Sequence, residues 1–565
     1  MTYDLEQRAA IDARLNVVVR AGAGAGKTSV LVGRYLRLVV EDGIRVDEIL
    51  TLTFTRKAAA EMHERIYRAL AQRAGDDEFV REQLERFDSA VVSTVDSFCG
   101  SVARSGCTSF GVAPTFTVDE ARLGEFCDDL ALRFLLSRGR GGTGGDGPEA
   151  SRAAAASSIR SLVRLNRFGP LWHDGFARLA KDHFLVGREL DLGGMMALQR
   201  EYLLTELVRT ANELGDTIES IGALDGNEAK CIATAQQVAA GIDVAELANG
   251  SVVRELQEAS ELPEANAEDP LPEEVDRHIG ELLSDLEALS AVKKNCGSGR
   301  KPEVVEFKSH VDNLHACSAR LRELLLTLRS WHEMVGATEL ADEFQSIVSA
   351  AKRRSGTLSY HDVTVLAISV LASDLELRRY YKRRFKAIMI DEFQDNNGEQ
   401  KDLLYLLAER MDREGPGVPG PTDLDPGKLF FVGDEKQSIY RFRGADVSVF
   451  KRLSDELGGD RAAITLGSNY RSEPGLIRFF NAFFSRVFSD PEPAYEARFA
   501  PLGSRPPTPG LTPSVRLWRL DRRDKNPEFM ENDEAEAFHI ARFIRESVDA
   551  GDLLVKAQSS AIVSS

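Results

Sequence analysis

The sequence predicts an α/β fold: a parallel sheet, interrupted by a large helical block. Three observations predict it. Short apolar runs alternate with helix-patterned segments over residues 1–100, the same alternation returns near residue 385, and the stretch 111–349 between them carries helical spacing.

The first three strands are expected in "LNVVVR" (15–20), "EILTLTF" (48–54) and "SAVVST" (89–94). Between the last two, Ala59, Met62, Ile66 and Leu70 recur on one face of a helix. "GRGGTGGDGPEAS" (139–151) reads as a Gly-rich linker. Beyond it, Leu203, Leu207, Ala211 and Leu214, then Leu321, Leu324, Leu328, Trp331 and Val335, keep helical spacing, with an acidic, Pro-containing break at 261–276. Strands return in "FKAIMIDEFQD" (385–395) and "KLFFVGDE" (428–435), separated by a Pro/Gly-rich surface loop at 413–427. "GSRPPTPGLTP" (503–513) is a further linker, before "SVRLWRL" and a final helix.

Composition narrows the function. A chain of 565 residues suggests about three or four domains. A net charge of −18 argues against a general nucleic-acid coat, but a narrow basic track can still bind phosphates, and "KRR" (352–354) and "RRYYKRRFK" (378–386) are candidates. No apolar run reaches 18 residues and the N-terminus is polar, so neither a membrane span nor a secretory signal is expected. Six cysteines without a C-x-x-C pair point away from zinc and iron–sulfur sites and towards a reduced, cytoplasmic protein.

The chemistry sits at strand ends. "NVVVRAGAGAGKTSVLVGRYL" is a strand, a loop of small residues (Ala21, Gly22, Ala23, Gly24, Ala25, Gly26) and a helix opening at Lys27 and Thr28. Small side chains let backbone N–H groups close around phosphates at a helix N-terminus. Lys27 suits the β- and γ-phosphates of ATP and Thr28 suits Mg²⁺. In "AIMIDEFQD" an apolar strand runs into Asp391, placed to orient Mg²⁺, and Glu392, placed to polarise the attacking water. "FFVGDEKQSIYRFRGAD" (430–446) is a third such strand end: Gln437 can reach the γ-phosphate, Tyr440 and Phe442 can stack on bases, and Arg441 and Arg443 can neutralise a nucleic-acid backbone.

Taken in order, these motifs resemble those of the UvrD/RecB-like branch of superfamily 1 DNA helicases. "YDLEQRAAI" (3–11) resembles its glutamine motif, which implies Gln7 on the adenine edge. "TLTFTRKAAAEMHERI" (51–66) resembles its first DNA-contact motif, implying Phe54, Thr55 and Lys57 near the strand; "VSTVDSFC" (92–99) resembles the next, with Asp96 in place of the usual His. "LGSNYRSEPGLIRFFN" (466–481) resembles the first motif of a second RecA-like domain, implying Tyr470 stacked on adenine and Arg471 as an arginine finger. The resemblance implies a P-loop NTPase with a RecA-like parallel sheet. Its first RecA-like domain would occupy 1–110 and 350–465, a helical insertion 111–349, and the start of a second RecA-like domain 466–565. It implies ATP and Mg²⁺ as cofactors, single-stranded or tailed duplex DNA as substrate and a RecC/AddB-like partner protein. The implied activity is 3′-to-5′ translocation and unwinding in DNA repair or recombination.

The family's later motifs, resembling T-x-H-x-x-K-G-L-E and V-A-x-T-R-A, and a C-terminal nuclease are not found in the sequence. The expectation is a truncated chain that binds nucleotide weakly and hydrolyses it slowly without unwinding. The alternative is a non-catalytic ATP- and DNA-binding fragment.

Overall fold

The computed structural model describes residues 3–75, 77–139, 169, 171–183, 191–225, 230–241, 273–294, 302–413, 415–489, 496–511, 515–518, 532–551, 554–556 and 562–564. Most of the Gly-rich linker and of the acidic break lies outside them. The described chain divides into two units, one of residues 1–114 and 363–565 and one of residues 115–362.

Six strands form one sheet in the first unit: β1 (Val17–Ala21), β2 (Ile49–Thr53), β3 (Val91–Thr94), β4 (Ala387–Ile390), β5 (Leu429–Gly433) and β6 (Ala463–Leu466). Their spatial order is β3-β2-β4-β5-β1-β6, and every pairing is parallel. Val17 of β1 lies opposite Phe430 of β5, and Ile388 of β4 opposite Leu429. Parallel pairing explains the near-continuous apolar runs: both faces of the central strands are covered, and β2, β4 and β5 are buried at every position. The α/β expectation therefore holds. The sixth strand is an addition. It is an edge strand, only partly buried, and Thr465 interrupts its short apolar run.

Helices flank this sheet. Helix α1 (Leu5–Asp12) begins with a capping box in which the Asp4 side chain accepts from the Gln7 N–H at 2.7 Å. Helix α2 (Lys27–Val40) leaves the phosphate-type loop, and α3 (Arg56–Ala71) is capped by Thr55. The expected apolar face of α3 is the buried one: Ala59, Met62, Ile66 and Leu70. Because all six strands are parallel, their C-terminal ends share one edge, where loops converge on a ligand crevice.

The second unit is helical. Its longest helices are Leu192–Ala223, Pro302–Arg329 and Trp331–Ser355. Leu203, Leu207, Ala211 and Leu214 pack in one core with Leu321, Leu324, Leu328 and Trp331, as their spacing requires, and Val335 lies at its margin. A separate aromatic cluster joins Phe134, Phe176 and Phe344.

Two expectations are corrected. The basic runs are not continuous solvent-facing tracks. Lys352 is fully buried, its ammonium 3.1 Å from both Asp362 carboxylate oxygens and donating to the His183 carbonyl at 2.8 Å. Arg378 and Lys382 are buried on the Glu409 carboxylate. A cation removed from water needs such partners, so these side chains turn inward to the acids that offset their desolvation. The cysteines are also not all reduced thiols. Cys231 is disulfide-bonded, whereas Cys99, Cys107, Cys127 and Cys317 are free. Spacing along the chain does not reveal a bond that depends on proximity in space.

Lys352→Ala should leave the Asp362 carboxylate buried without its cation. The expected cost is about 3–5 kcal/mol, read in urea unfolding followed by tryptophan fluorescence, since Trp172 and Trp331 lie in this unit. A loss below about 1 kcal/mol, the scale of exposed pairs, would contradict the role assigned to this pair.

Candidate functional site

The site begins where β1 ends. Gly24 and Gly26 both take the left-handed backbone conformation, with φ of 71° and 88°. They also permit close approach: a Cβ on Gly26 would lie 2.8 Å from Gln7 Nε2, and one on Gly24 would lie 2.7 Å from Asn469 Nδ2 and 2.8 Å from Arg471 Cβ. Helix α2 then starts at Lys27 with no side-chain cap on its first turn. Uncapped N–H groups and the positive end of the helix dipole make this terminus suited to an anion.

Neighbouring segments hold the loop from two sides. Gln7 is buried and donates from Nε2 to the Ala25 carbonyl at 3.1 Å, while its Oε1 accepts from the Asp4 N–H at 3.3 Å. From the other side, Asn469 Nδ2 donates to the Ala23 carbonyl at 2.5 Å and the Tyr470 N–H donates to the Gly24 carbonyl at 2.8 Å. The Tyr470 hydroxyl donates to Asp4, and its ring stays 40% exposed. Arg471 follows directly, exposed at its side chain. The segment after β6 is thus seated on the loop by backbone and side-chain bonds. Asn469 is a clamp that the sequence reading missed.

Strands β4 and β5 deliver the acids and the glutamine. Lys27 Nζ donates to Glu392 Oε2 at 2.5 Å and lies 3.5 Å from Gln437 Oε1. Gln437 Nε2 donates to Asp434 Oδ2 at 2.8 Å. Lys27, Glu392 and Gln437, separate in sequence, therefore meet. Glu392 is the one non-glycine residue with positive φ among the described residues, at 52°. Backbone in that region is strained by about 1–3 kcal/mol and tends to persist where a side chain must be aimed. Asp391 is buried beside it. Burial, then the neighbouring Glu392 charge, pushes its carboxyl up to about 7, against the opposing pull of Lys27. Asp395 is pushed up to about 6 by burial and then by Glu392.

These residues fit a Mg²⁺–nucleotide. A carboxylate buried next to another carboxylate is disfavoured until a cation arrives. No group of three or more His, Cys, Asp or Glu side chains forms a metal cage among the described residues. Mg²⁺ is commonly held by one or two carboxylates together with substrate phosphates. Asp391 directly follows β4, and Thr28 lies in the first turn of α2.

The adjoining surface is aromatic. Phe54, just past β2, lies 4.8 Å centroid to centroid from Tyr440, and Tyr440 lies 5.9 Å from Phe442. The Arg443 guanidinium sits 5.8 Å from the Tyr440 ring and 5.9 Å from that of Phe442. Phe442 is 79% exposed. Lys57 and Arg441 are exposed nearby in sequence. Thr55 has a structural task, its hydroxyl accepting from the Ala58 N–H at 3.1 Å. Asp96 lies in the first turn of the helix Val95–Gly106.

Comparison with known proteins follows the same lines. The sequence matches the UvrD/REP helicase N-terminal domain over residues 3–136 and 229–458. It is 26% identical to an ATP-dependent helicase/nuclease subunit from Syntrophomonas wolfei, covering 86% of this chain and 38% of that protein. It is 27% identical to the protein of the same name from Alkaliphilus oremlandii, covering 96% of this chain and 45% of the relative. For the one from Moorella thermoacetica the figures are 28%, 91% and 37%. The chain spans about two fifths of the length of these curated relatives. No helix among the described residues is long and apolar enough to cross a membrane.

Gly26→Ala should be costly because it forces a side chain into positive φ and against Gln7. A stability loss of about 1–3 kcal/mol is expected from denaturant unfolding; an unchanged midpoint would show that the loop does not need its left-handed turn.

Proposed function

The chain belongs to the UvrD/REP helicase family, and on that premise we propose that it carries the ATP- and DNA-binding machinery of an ATP-dependent 3′-to-5′ DNA helicase of the UvrD/RecB type. The observation that carries this reading is the meeting of Lys27 with Glu392 and Gln437, on loops that also present Tyr440 and Phe442. ATP is the substrate. Mg²⁺, held by Thr28 and Asp391, supplies charge neutralisation at the phosphates when bound.

The protein's own groups then divide the work. The uncapped N–H groups of α2 and the loop from Ala21 to Gly26 cradle phosphate oxygens. Lys27 exchanges its carboxylate partner for the β- and γ-phosphates. That exchange frees Glu392 to accept a proton from the attacking water. Gln437 senses the γ-phosphate, and Arg471 neutralises charge that develops there. The exposed face of Tyr470 stacks on adenine. Gln7 keeps one N–H and one lone pair beyond those used on Ala25 and Asp4, enough for a paired contact to the adenine edge.

Phe54, Tyr440 and Phe442 form the base-stacking face, and Lys57 and Arg443 neutralise the strand's phosphates. The Thr55 hydroxyl accepts the cap bond and still has its O–H to donate to DNA. A role in DNA repair or recombination, a RecC/AddB-like partner and a cytoplasmic setting are parts of the same proposal. The relatives' name, which makes each of them one subunit of a helicase/nuclease, supports the partner.

Two variants test the assignment. Lys27→Ala should abolish ATP turnover at an unchanged folded fraction, and wild-type turnover would overturn the nucleotide site. Phe442→Ala should weaken single-strand binding by about 1–3 kcal/mol, the scale of one base stack, while nucleotide affinity stays constant. Equal losses of both affinities would instead mean that Phe442 supports the fold.

A further inference from the structure

Gln394 lies three residues beyond Asp391, and no step above uses it. It is 1% exposed, and both ends of its carboxamide are engaged. Nε2 donates to Glu392 Oε2 at 3.0 Å and to Asp395 Oδ2 at 3.2 Å. Oε1 accepts from the Asp434 N–H at 2.9 Å. The chemistry of these partners fixes the amide's orientation: two carboxylate oxygens require the NH₂ end, and a backbone N–H requires the carbonyl end. The contact also explains Gly433, because a Cβ there would lie 2.7 Å from Gln394 Oε1.

The same segment is clipped twice more to the strand-end loop. Ser438 Oγ donates to the Gln394 carbonyl at 3.0 Å, and the Asp446 N–H donates to the Asn396 carbonyl at 3.1 Å. Tyr440 and Phe442 lie between these clips. The loop that presents Tyr440 and Phe442 is therefore bonded on both sides of these rings to the segment that carries Gln394.

We propose that Gln394 is a positioning residue that ties the Glu392 carboxylate to the loop carrying Tyr440 and Phe442, so that seating a DNA strand sets the aim of the catalytic acid. This rests on the reading of Glu392 as the acceptor of water's proton. It adds a path separate from that of Gln437, which bonds to Lys27 and to the Asp434 side chain.

The test uses the full chain and three substitutions. Gln394→Met keeps the volume and removes every hydrogen bond of the amide. Its kcat for ATP with saturating oligo-dT should fall about 10- to 100-fold, the usual effect of losing a group that orients a reacting one. KM for ATP should not change. Without nucleotide, hydrogen exchange at the Asp434 amide should become faster, a readout independent of turnover. Gln394→Glu is the second variant, in case the first does not fold. It keeps an acceptor for the Asp434 N–H and, once ionised, has no donor for Glu392. Its kcat should therefore fall with rising pH relative to the parent chain. Glu392→Gln is the control. Loss of turnover in the control with parent-like kcat in both Gln394 variants overturns this proposal alone. Parent-like turnover in the control overturns the reading of Glu392 on which it rests. A Gln394→Met defect confined to KM or to melting temperature also overturns it, because that is what a merely structural residue would give.

Discussion

The ion pair between Lys27 and Glu392 is the constraint on which the rest of the site depends. It joins the helix after β1 to the end of β4 across β5, which lies between those strands in the sheet. A cation and an anion this close, only partly exposed to water, attract one another and bring the two strand ends together. Their carriers are a glycine-rich turn and a backbone held at positive φ, neither of which would keep its shape on propensity alone. With the pair in place, Gln437 reaches Lys27 and Gln394 reaches Glu392, so the loop after β5 is drawn to the same point from two sides.

The parallel sheet makes this convergence possible. Every strand ends at the same edge, so residues hundreds of positions apart in sequence arrive together. That edge carries two chemistries. Nearest β1 it presents uncapped amides and a lysine, suited to phosphates. Beyond β2 and β5 it presents Phe54, Tyr440 and Phe442, suited to flat, apolar rings. The second, helical unit is built on a different principle. Long amphipathic helices bury leucine stripes, and the charge taken inside is matched in the Lys352–Asp362 pair.

Much of this was legible in the sequence, for reasons that also explain what was not. Four strands announced themselves because central parallel strands need apolar residues on both faces, and the edge strand Val91–Thr94 showed through its paired valines. The sixth, Ala463–Leu466, pairs on one side only, and Thr465 interrupts its short apolar run. The face of α3 could be read because burial follows the helical period. Lys27, Glu392 and Gln437, which meet in the structure, could be singled out because each follows a strand or opens a helix in a recognisable pattern. Gln394 and Asn469 could not, because a lone amide has no signature until its partners are known. Basic side chains misled for a related reason: composition counts charges, whereas Lys352, Arg378 and Lys382 are defined by the acids they meet in space.

One set of strand-end loops carries the proposed nucleotide contact at one end and the proposed DNA contact at the other. If the shared loops couple the two sites, each ligand changes the other's affinity by the same factor. The most direct measurement is the affinity of the chain for a fluorescent oligo-dT, with and without a saturating non-hydrolysable ATP analogue and Mg²⁺. A change of about 5-fold or more is expected, the usual lower bound for coupled sites, matched by an equal change in analogue affinity when DNA is present. Identical DNA affinities in the two conditions, with both ligands bound, would contradict it.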